Sequence, residues 1–372
     1  MQLYATIGVG LETVVSREMA ALGLEPSRVE PGRVRFETDQ HGMLQALIHL
    51  RSVSRIVREL HFEEIGSEQD IFEVARELDW PALFPVEASF RVTFNVHSSL
   101  VRNSRFQTYR IKDALCDRFV EATGARPAVD TRSPQVHVYC YLENRRLSIG
   151  LDAAGDPLHM RGYRVSQHAA SLREHLAAAM VLQSGWAPPA PLHDPFCGSG
   201  TLLIEAALIA THTPPSAFRT RFGCEAWLDL DRALLARLRQ QAWQQRIEVP
   251  SLRITGGDSD PAAIAMANDN LRAAGFSDRI AVRQESVRQM PAIHDGVVIA
   301  NPPYGERLSD PGVTDAWLGL REAALRCTGS TIVVLQSNPA FEKAMSLRPF
   351  KKNRMYNGPI ACTLYQYRIH AA

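Results

Sequence analysis

Beyond residue 190 the chain settles into a rhythm that few folds accept. Short apolar runs, "PLHDPF", "SLRITGGDSD", "RIAVRQES", "GVVIANPPY" and "STIVVLQS", alternate with helical stretches such as "TLLIEAALIA", "PAAIAMANDNLRAAG" and "DAWLGLREAALRC". Strand runs separated by helices of about ten to fifteen residues build parallel sheets with helices on both faces. The helix over 261–274 shows the pattern, with Pro261 in its first turn, an apolar stripe of Ile264, Ala267 and Leu271, and Gly275 past its end. Asp260 stands where a helix cap belongs. The closing "RMYNGPIACTLYQYRI" reads as two strands turning at Asn357-Gly358, an antiparallel hairpin on the sheet edge. Residues 156–372 are therefore expected to form a doubly wound α/β domain, with a connector over 156–170.

The amino-terminal part reads differently. Within 1–60, "QLYATIG" and "RVRFET" are strand-like, "LETVVSREMAALG" and "HGMLQALIHLRS" are helical, and "SRIVRELHFEEI" is extended. That order predicts a small α+β unit. Over 61–155, the helix "SEQDIFEVAREL", opened by Ser67, the strand "SFRVTFNV", the helix "FQTYRIKDALCDRFVEATG" and the hairpin "QVHVYCYLENRRLSIGLDAAG" predict a second α+β unit. Ile111, Leu115 and Phe119 mark the buried face of its long helix. Ser171 and Glu174 have capping-box spacing ahead of "HLAAAMVLQSGW".

Composition narrows the partners. Net charge is +1, so the chain is not basic as a whole, and a nucleic-acid site has to be a local concentration of arginine and lysine. The six cysteines, at 116, 140, 197, 224, 327 and 362, form no C-x-x-C pair. That pattern speaks against a zinc ribbon and a disulfide scaffold, and for reduced thiols in the cytoplasm. No basic segment followed by an apolar core opens the chain, and no apolar stretch has membrane-spanning length. No leader, membrane association or metal is expected.

The first loop of the α/β part is "HDPFCGSGTLLIEAA". In open α/β sheets ligands bind beyond the carboxyl ends of the strands, where glycines let backbone approach them. A Walker loop needs lysine after its last glycine, and here Thr201 follows Gly200. A dinucleotide loop needs a third glycine at 203, which is leucine, so a dehydrogenase is disfavoured. S-adenosylmethionine (SAM) has no phosphates and carries a charged amino-acid tail, and it fits better. Asp258, ending the second strand, is placed to accept from ribose hydroxyls, and Glu285, ending the third, from an adenine amine. The fourth strand ends in "NPPYGERL". Its prolines make a stiff, extended turn. Asn301 Oδ1 and the Pro302 carbonyl can accept from an exocyclic amine and aim its lone pair at a methyl donor. Tyr304 can stack on a base swung out of its helix, so its ring rather than its hydroxyl is expected to matter.

Together "RGYR", "SLREHLAAAMVLQSGW", "DPFCGSGTLLIEAALIA", "GGDSDP" and "NPPYGERL" resemble the THUMP-containing class I RNA methyltransferases, and among them the RlmL-type guanine-N2 methyltransferases of 23S rRNA. "VRNSRFQTYRIKDAL" resembles part of the family's THUMP domain. The resemblance implies a ferredoxin-like unit over 1–60, a THUMP domain over 61–155, and a Rossmann-like methyltransferase domain over 156–372. It implies SAM as donor, S-adenosylhomocysteine and N2-methylguanosine as products, and RNA as partner, with rRNA ahead of tRNA. A monomer is expected.

With the resemblance, the catalytic set is Asn301, Pro302, Pro303 and Tyr304. The cofactor set is Asp194, Pro195, Cys197, Gly198, Ser199, Gly200, Thr201, Glu174, Asp258, Ser259, Glu285, Ser286 and Asn301. The expected RNA contacts are Arg102, Asn103, Arg105, Arg110, Lys112, Arg161, Arg164 and Arg307. Family members usually carry aspartate where Glu285 stands, and an acidic residue where Ala361 stands, so no role is given to the final hairpin. His193 reads as a strand-end histidine and Cys197 as a small residue without a basic partner. The rival functions are a tRNA guanine-N2 methyltransferase, an adenine-N6 nucleic-acid methyltransferase, and a non-catalytic RNA-binding or ribosome-assembly factor. The adenine-N6 DNA enzyme would need a separate target-recognition domain, whereas the extra mass here is amino-terminal.

Overall fold

The computed structural model describes residues 1–166, 171–304 and 311–370. Two seven-stranded sheets organise the chain. The first is built from β1 (Gln2–Ile7), β2 (Pro26–Glu30), β3 (Arg33–Glu37), β4 (Val53–Glu64), β5 (Phe90–His97), β6 (Val136–Glu143) and β7 (Arg146–Asp152), in the order β2-β3-β1-β4-β7-β6-β5. Its helices are α1 (Glu12–Ala21), α2 (Gln40–His49), α3 (Asp70–Glu77), α4 (Trp80–Leu83) and α5 (Ser104–Thr123). The two amino-terminal units share this sheet. β4 pairs with β1 on one side and with β7 on the other, and the boundary expected at residue 60 falls inside it. Ser67 does not open α3. It donates to Asp70 Oδ1, and the helix begins at Asp70. Ile111, Leu115 and Phe119 are all buried, as the stripe on α5 requires.

The second sheet contains β8 (Leu192–Asp194), β9 (Ile254–Asp258), β10 (Ala281–Gln284), β11 (Val297–Ala300), β12 (Thr331–Gln336), β13 (Lys351–Asn357) and β14 (Ile360–Arg368). Its order is β10-β9-β8-β11-β12-β14-β13, parallel through β12 and antiparallel for the last two strands. The hairpin is present with its turn one residue later, at Gly358-Pro359, since Asn357 pairs with Ile360. The helices are α6 (Glu174–Ser184), α7 (Thr201–Ala210), α8 (Arg232–Gln244), α9 (Pro261–Ala273), α10 (Pro311–Ala324) and α11 (Ala340–Met345). Asp260 caps α9 through Ala262 N at 2.8 Å.

Helices cover both faces, which is why strands such as β11 are apolar throughout. Val297 and Ile299 join the core that also runs through the first sheet, while Val298 and Ala300 join a second core with Trp317, Leu320 and Phe341. The strand order reverses between β8 and its two neighbours, β9 and β11. That reversal opens a crevice beyond the strands' carboxyl ends, and it positions the site. No helix among the described residues is long and apolar enough to cross a membrane.

Candidate active site

Asp194 at the end of β8, Asp258 at the end of β9 and Asn301 just past β11 open into one cavity of about 620 Å³. The loop 194–201 forms one wall. Gly198 adopts φ +51 with nothing within 4 Å of where a Cβ would project, so its backbone borders open space. Gly200 adopts φ +82, and its Cβ would lie 3.4 Å from Ala267 on α9. The first glycine thus faces the cavity and the second lets two helices approach. Asp258 fastens the loop to β9, because its Oδ2 accepts from Gly198 N and its Oδ1 from Asp260 N, each at 3.0 Å.

The cavity is acidic. Asp194 is almost fully buried, and burial pushes its carboxyl well above the usual carboxylate range; the Phe196 N–H pulls it back and the Asp258 charge adds to the rise. No lysine or arginine is among the described lining residues. Such a cavity suits a cationic ligand, which would relieve the repulsion between the two carboxylates.

The "NPPY" turn is braced from behind and from the side. The Pro303 carbonyl accepts from Trp317 Nε1 and Gln336 Nε2, each at 3.3 Å. The Tyr304 hydroxyl donates to Asn301 Oδ1 at 2.8 Å and accepts from Asn357 Nδ2 at 3.2 Å. Burial raises the Tyr304 hydroxyl above its ordinary pKa, so it remains a donor. Its ring packs half-buried against the main core rather than lining the cavity. In this arrangement Tyr304 is a brace for Asn301 and not an open stacking face. Asn357 ends β13 on the final hairpin, where no role is expected from sequence.

Of the expected cofactor residues, Asp194, Cys197, Gly198, Ser199, Thr201, Asp258, Ser259 and Asn301 line the cavity. Pro195 and Gly200 shape its loop without lining it. Glu285 does not reach it. Its carboxylate lies 3.7 Å from His193 Nε2, where a Cβ on Gly257 would collide with it at 2.6 Å. Ser286 is exposed and bonds Gln289 Oε1 instead. Glu174 is buried and ion-paired to Arg164 at 3.0 Å, and α6 begins at Glu174, so the expected capping box is not formed. Leu172, Phe196, Leu202 and Ala316 also line the cavity. Phe196 was visible inside the loop motif, whereas Ala316 comes from α10, which no local signal ties to the site.

Residues 161–366 match the family described as RMKL-like, methyltransferase domain; residues 66–152 match the THUMP domain and residues 2–57 the RlmL ferredoxin-like domain. The chain belongs to the RMKL-like methyltransferase family. SMU.472, described as a methyltransferase and solved with SAH, is 30% identical at TM-score 0.90, over 100% of this chain and 98% of its own. A Listeria monocytogenes protein described as a predicted N6-adenine-specific DNA methylase is 32% identical at TM-score 0.89, over 99% and 96%. TrmN from Thermus thermophilus shares the fold at TM-score 0.73 and 21% identity, over 99% of each chain.

This RMKL-like methyltransferase is SAM-dependent and carries a THUMP domain. The residues present fit SAM: a glycine backbone bordering open space, two carboxylates without a lysine or arginine beside them, and a volume of about 620 Å³. Among the described residues no group of three or more His, Cys, Asp or Glu could hold a metal ion.

The expected RNA contacts divide. Arg102 and Arg105 are exposed, the latter with its Nε 3.4 Å from the Tyr109 hydroxyl. Asn103 caps α5 through Phe106 N, Arg110 lies over the Phe72 ring, and Lys112 pairs with Asp113 at 2.6 Å. Arg161 is a correction. It is 1% exposed and bound to Glu205 at 3.3 Å, to the Leu158 carbonyl and to the Arg51 carbonyl, so it cannot meet a phosphate. The guanidinium of Arg164 is committed to Glu174, the Leu172 carbonyl and Thr201 Oγ1. Arg307 lies outside the described residues.

Proposed function

We propose that this methyltransferase modifies the exocyclic N2 of a guanine in RNA, with 23S rRNA ahead of tRNA as substrate. The observation that carries this reading is that Asn301, a side-chain amide on a proline-braced loop, lines the same cavity as the 194–201 loop and Asp258. SAM, when bound there, supplies a methyl group on sulfonium already primed for displacement. An exocyclic amine is a poor nucleophile because its lone pair is delocalised into the ring. Asn301 Oδ1 has two lone pairs, one taken by the Tyr304 hydroxyl and the other available to the amine. Pro302, expected to share this task through its carbonyl, is buried and is not among the residues lining the cavity, so Asn301 Oδ1 would hold the amine, favour a tetrahedral nitrogen and stabilise the positive charge that develops there. Asp258 would accept from ribose hydroxyls with the lone pairs that Gly198 N and Asp260 N leave over.

The amino-terminal units over 1–60 and 61–155 would dock the RNA, a reading supported by the match to the THUMP domain. A second reading, adenine N6, is favoured by the description of the Listeria relative. Methyl transfer from labelled SAM to total RNA of a strain lacking the protein, followed by nucleoside analysis, separates them. N2-methylguanosine is expected. N6-methyladenosine would keep the chemistry and overturn the substrate.

A further inference from the structure

The connector and the segment 218–221 enclose a second cavity, of about 750 Å³, lined by Arg161, Arg164, Arg173, Arg219 and Arg221. A smaller one of about 220 Å³ adjoins it on the first sheet, where Arg55, Arg91 and Arg132 stand. Asp156 and Arg221 line both. At the other end Ser171 lines both the large cavity and the one containing Asn301. Shared lining residues thus link the three cavities along one route, from the THUMP strands β5 and β6 to the methyl-transfer loop.

The arginines along it fall into two groups. Arg161 and Arg164 are committed to Glu205 and Glu174, Arg55 to Asp152, and Arg219 donates to the carbonyls of Ala154, Asp156, Pro157 and Met160. These build the walls. Arg132, Arg173 and Arg221 are exposed and come from three separate segments. Burial, and then the charges of Arg173, Arg161, Arg55 and Arg164, lower His159 to about 3, a sign of the positive field in the cleft. Among these charges the lining also presents apolar surface, with Met160 55% and Val165 66% exposed, together with Phe218. Exposed arginines beside exposed apolar side chains suit a chain that alternates phosphates with flat bases, and three cavities in succession suit a chain better than a small molecule.

We propose that single-stranded RNA follows this path, with Arg132, Arg221 and Arg173 on successive phosphates and the target base delivered to Asn301. The proposal rests on the RNA reading above, and it moves the RNA away from the cluster that the sequence singles out. Arg91 lies at the start of β5 and Arg132 just before the parallel strand β6, whereas Arg102 and Arg105 follow the far end of β5. At about 3.3 Å per residue the two clusters are separated by roughly the length of the strand, on the order of 20 Å.

The test uses the full chain and a short, labelled, mixed-sequence single-stranded RNA, titrated at several salt concentrations. Arg132→Gln/Arg221→Gln should weaken binding about tenfold and flatten the salt slope by about 1.4, since each phosphate contact on a single strand contributes about 0.7. SAM affinity and melting temperature should not change. Arg237→Gln, which removes an exposed arginine of α8 that lines none of these cavities, should bind RNA as the wild type does. An unchanged affinity and slope in the Arg132/Arg221 pair, or a loss confined to Arg102→Gln/Arg105→Gln, overturns the path. If the wild type methylates RNA and the Arg132/Arg221 pair does so with the same KM, the path fails alone. If the wild type neither binds nor methylates RNA, the RNA reading fails and the path with it.

Discussion

Replacing Tyr304 by phenylalanine distinguishes two roles for the same side chain. If Tyr304 only stacks on a flipped base, the ring remains and the variant behaves as wild type. The bond from its hydroxyl to Asn301 Oδ1 at 2.8 Å predicts otherwise, because the amide then loses the donor that fixes its rotamer. A hydrogen bond of this kind contributes about 0.5–1.5 kcal/mol net. If that orientation matters most as the amine gains charge, kcat should fall about 2- to 12-fold with SAM affinity unchanged. Asn301→Ala removes the acceptor itself and should cost about a hundredfold or more. Because Tyr304 acts through Asn301, the double variant Asn301→Ala/Tyr304→Phe should be no slower than Asn301→Ala alone. Asn357→Ala removes the 3.2 Å bond that holds the Tyr304 hydroxyl and should shift kcat in the same direction by less. Single-turnover methyl transfer at saturating SAM and RNA reads all four. A wild-type rate for Tyr304→Phe, or full additivity in the double variant, would refute the brace.

Asp258→Ala should weaken SAM binding by about 1.5–3 kcal/mol in calorimetry, the scale of hydrogen bonds to a charged group, and it also strands the N–H groups of Gly198 and Asp260. Asp258→Asn should not rescue it, since its amide nitrogen must face one of those two donors. Glu205→Gln leaves the buried Arg161 charge uncompensated and should destabilise the fold by about 3–5 kcal/mol in chemical denaturation. Burial lowers His193 to about 4 and His49 to about 4. In the unfolded chain each takes a proton near pH 6.5, so stability should be lost as pH falls from about 6.5 to 4, by at most about 1.4 kcal/mol per pH unit for each histidine. His193→Gln should flatten the melting curve over that window, and an unchanged curve would show that His193 carries a proton in the fold.

The parallel sheet was legible because its strands are buried on both faces, so Val297 to Ala300 and Ile332 to Leu335 are apolar without alternation. The carboxyl-end residues Asp194, Asp258 and Asn301 were legible for the same reason, since a polar residue ending such a strand has left the core. What the sequence hid is tertiary. Asn357 meets Tyr304 only because β14 returns antiparallel beside β12 and places β13 and its turn above the loop leaving β11. Glu174 has capping-box spacing to Ser171, yet α6 begins at Glu174 itself and its carboxylate pairs with Arg164 at 3.0 Å. Arg161 stands between Met160 and Gly162 on the connector, and nothing local says that Glu205, on a helix 44 positions on, will bury it.

The buried contacts of Arg161 hold the two halves in register. Arg161 reaches Glu205 on α7 and the Arg51 carbonyl behind α2, while Arg51 reaches the Thr213 carbonyl at 2.7 Å. The backbone N–H groups of Arg51 and Ser52 are held by Glu18 of α1. Farther along the connector, Asn270 accepts from Val165 N and Ser166 N and donates to the Ser199 carbonyl in the SAM loop. Buried ion pairs of this sort contribute little net stability, because desolvation offsets their attraction, but breaking one costs several kcal/mol. Their effect is to leave a single arrangement accessible. An RNA strand gripped on the first sheet can present a base to Asn301 only if the distance between grip and loop is fixed, since a misplacement of about 1 Å can cost a hundredfold in rate. A flexible linker of the same length would carry both domains and lose that distance; a connector pinned by buried charge at one end and by a buried asparagine at the other keeps it.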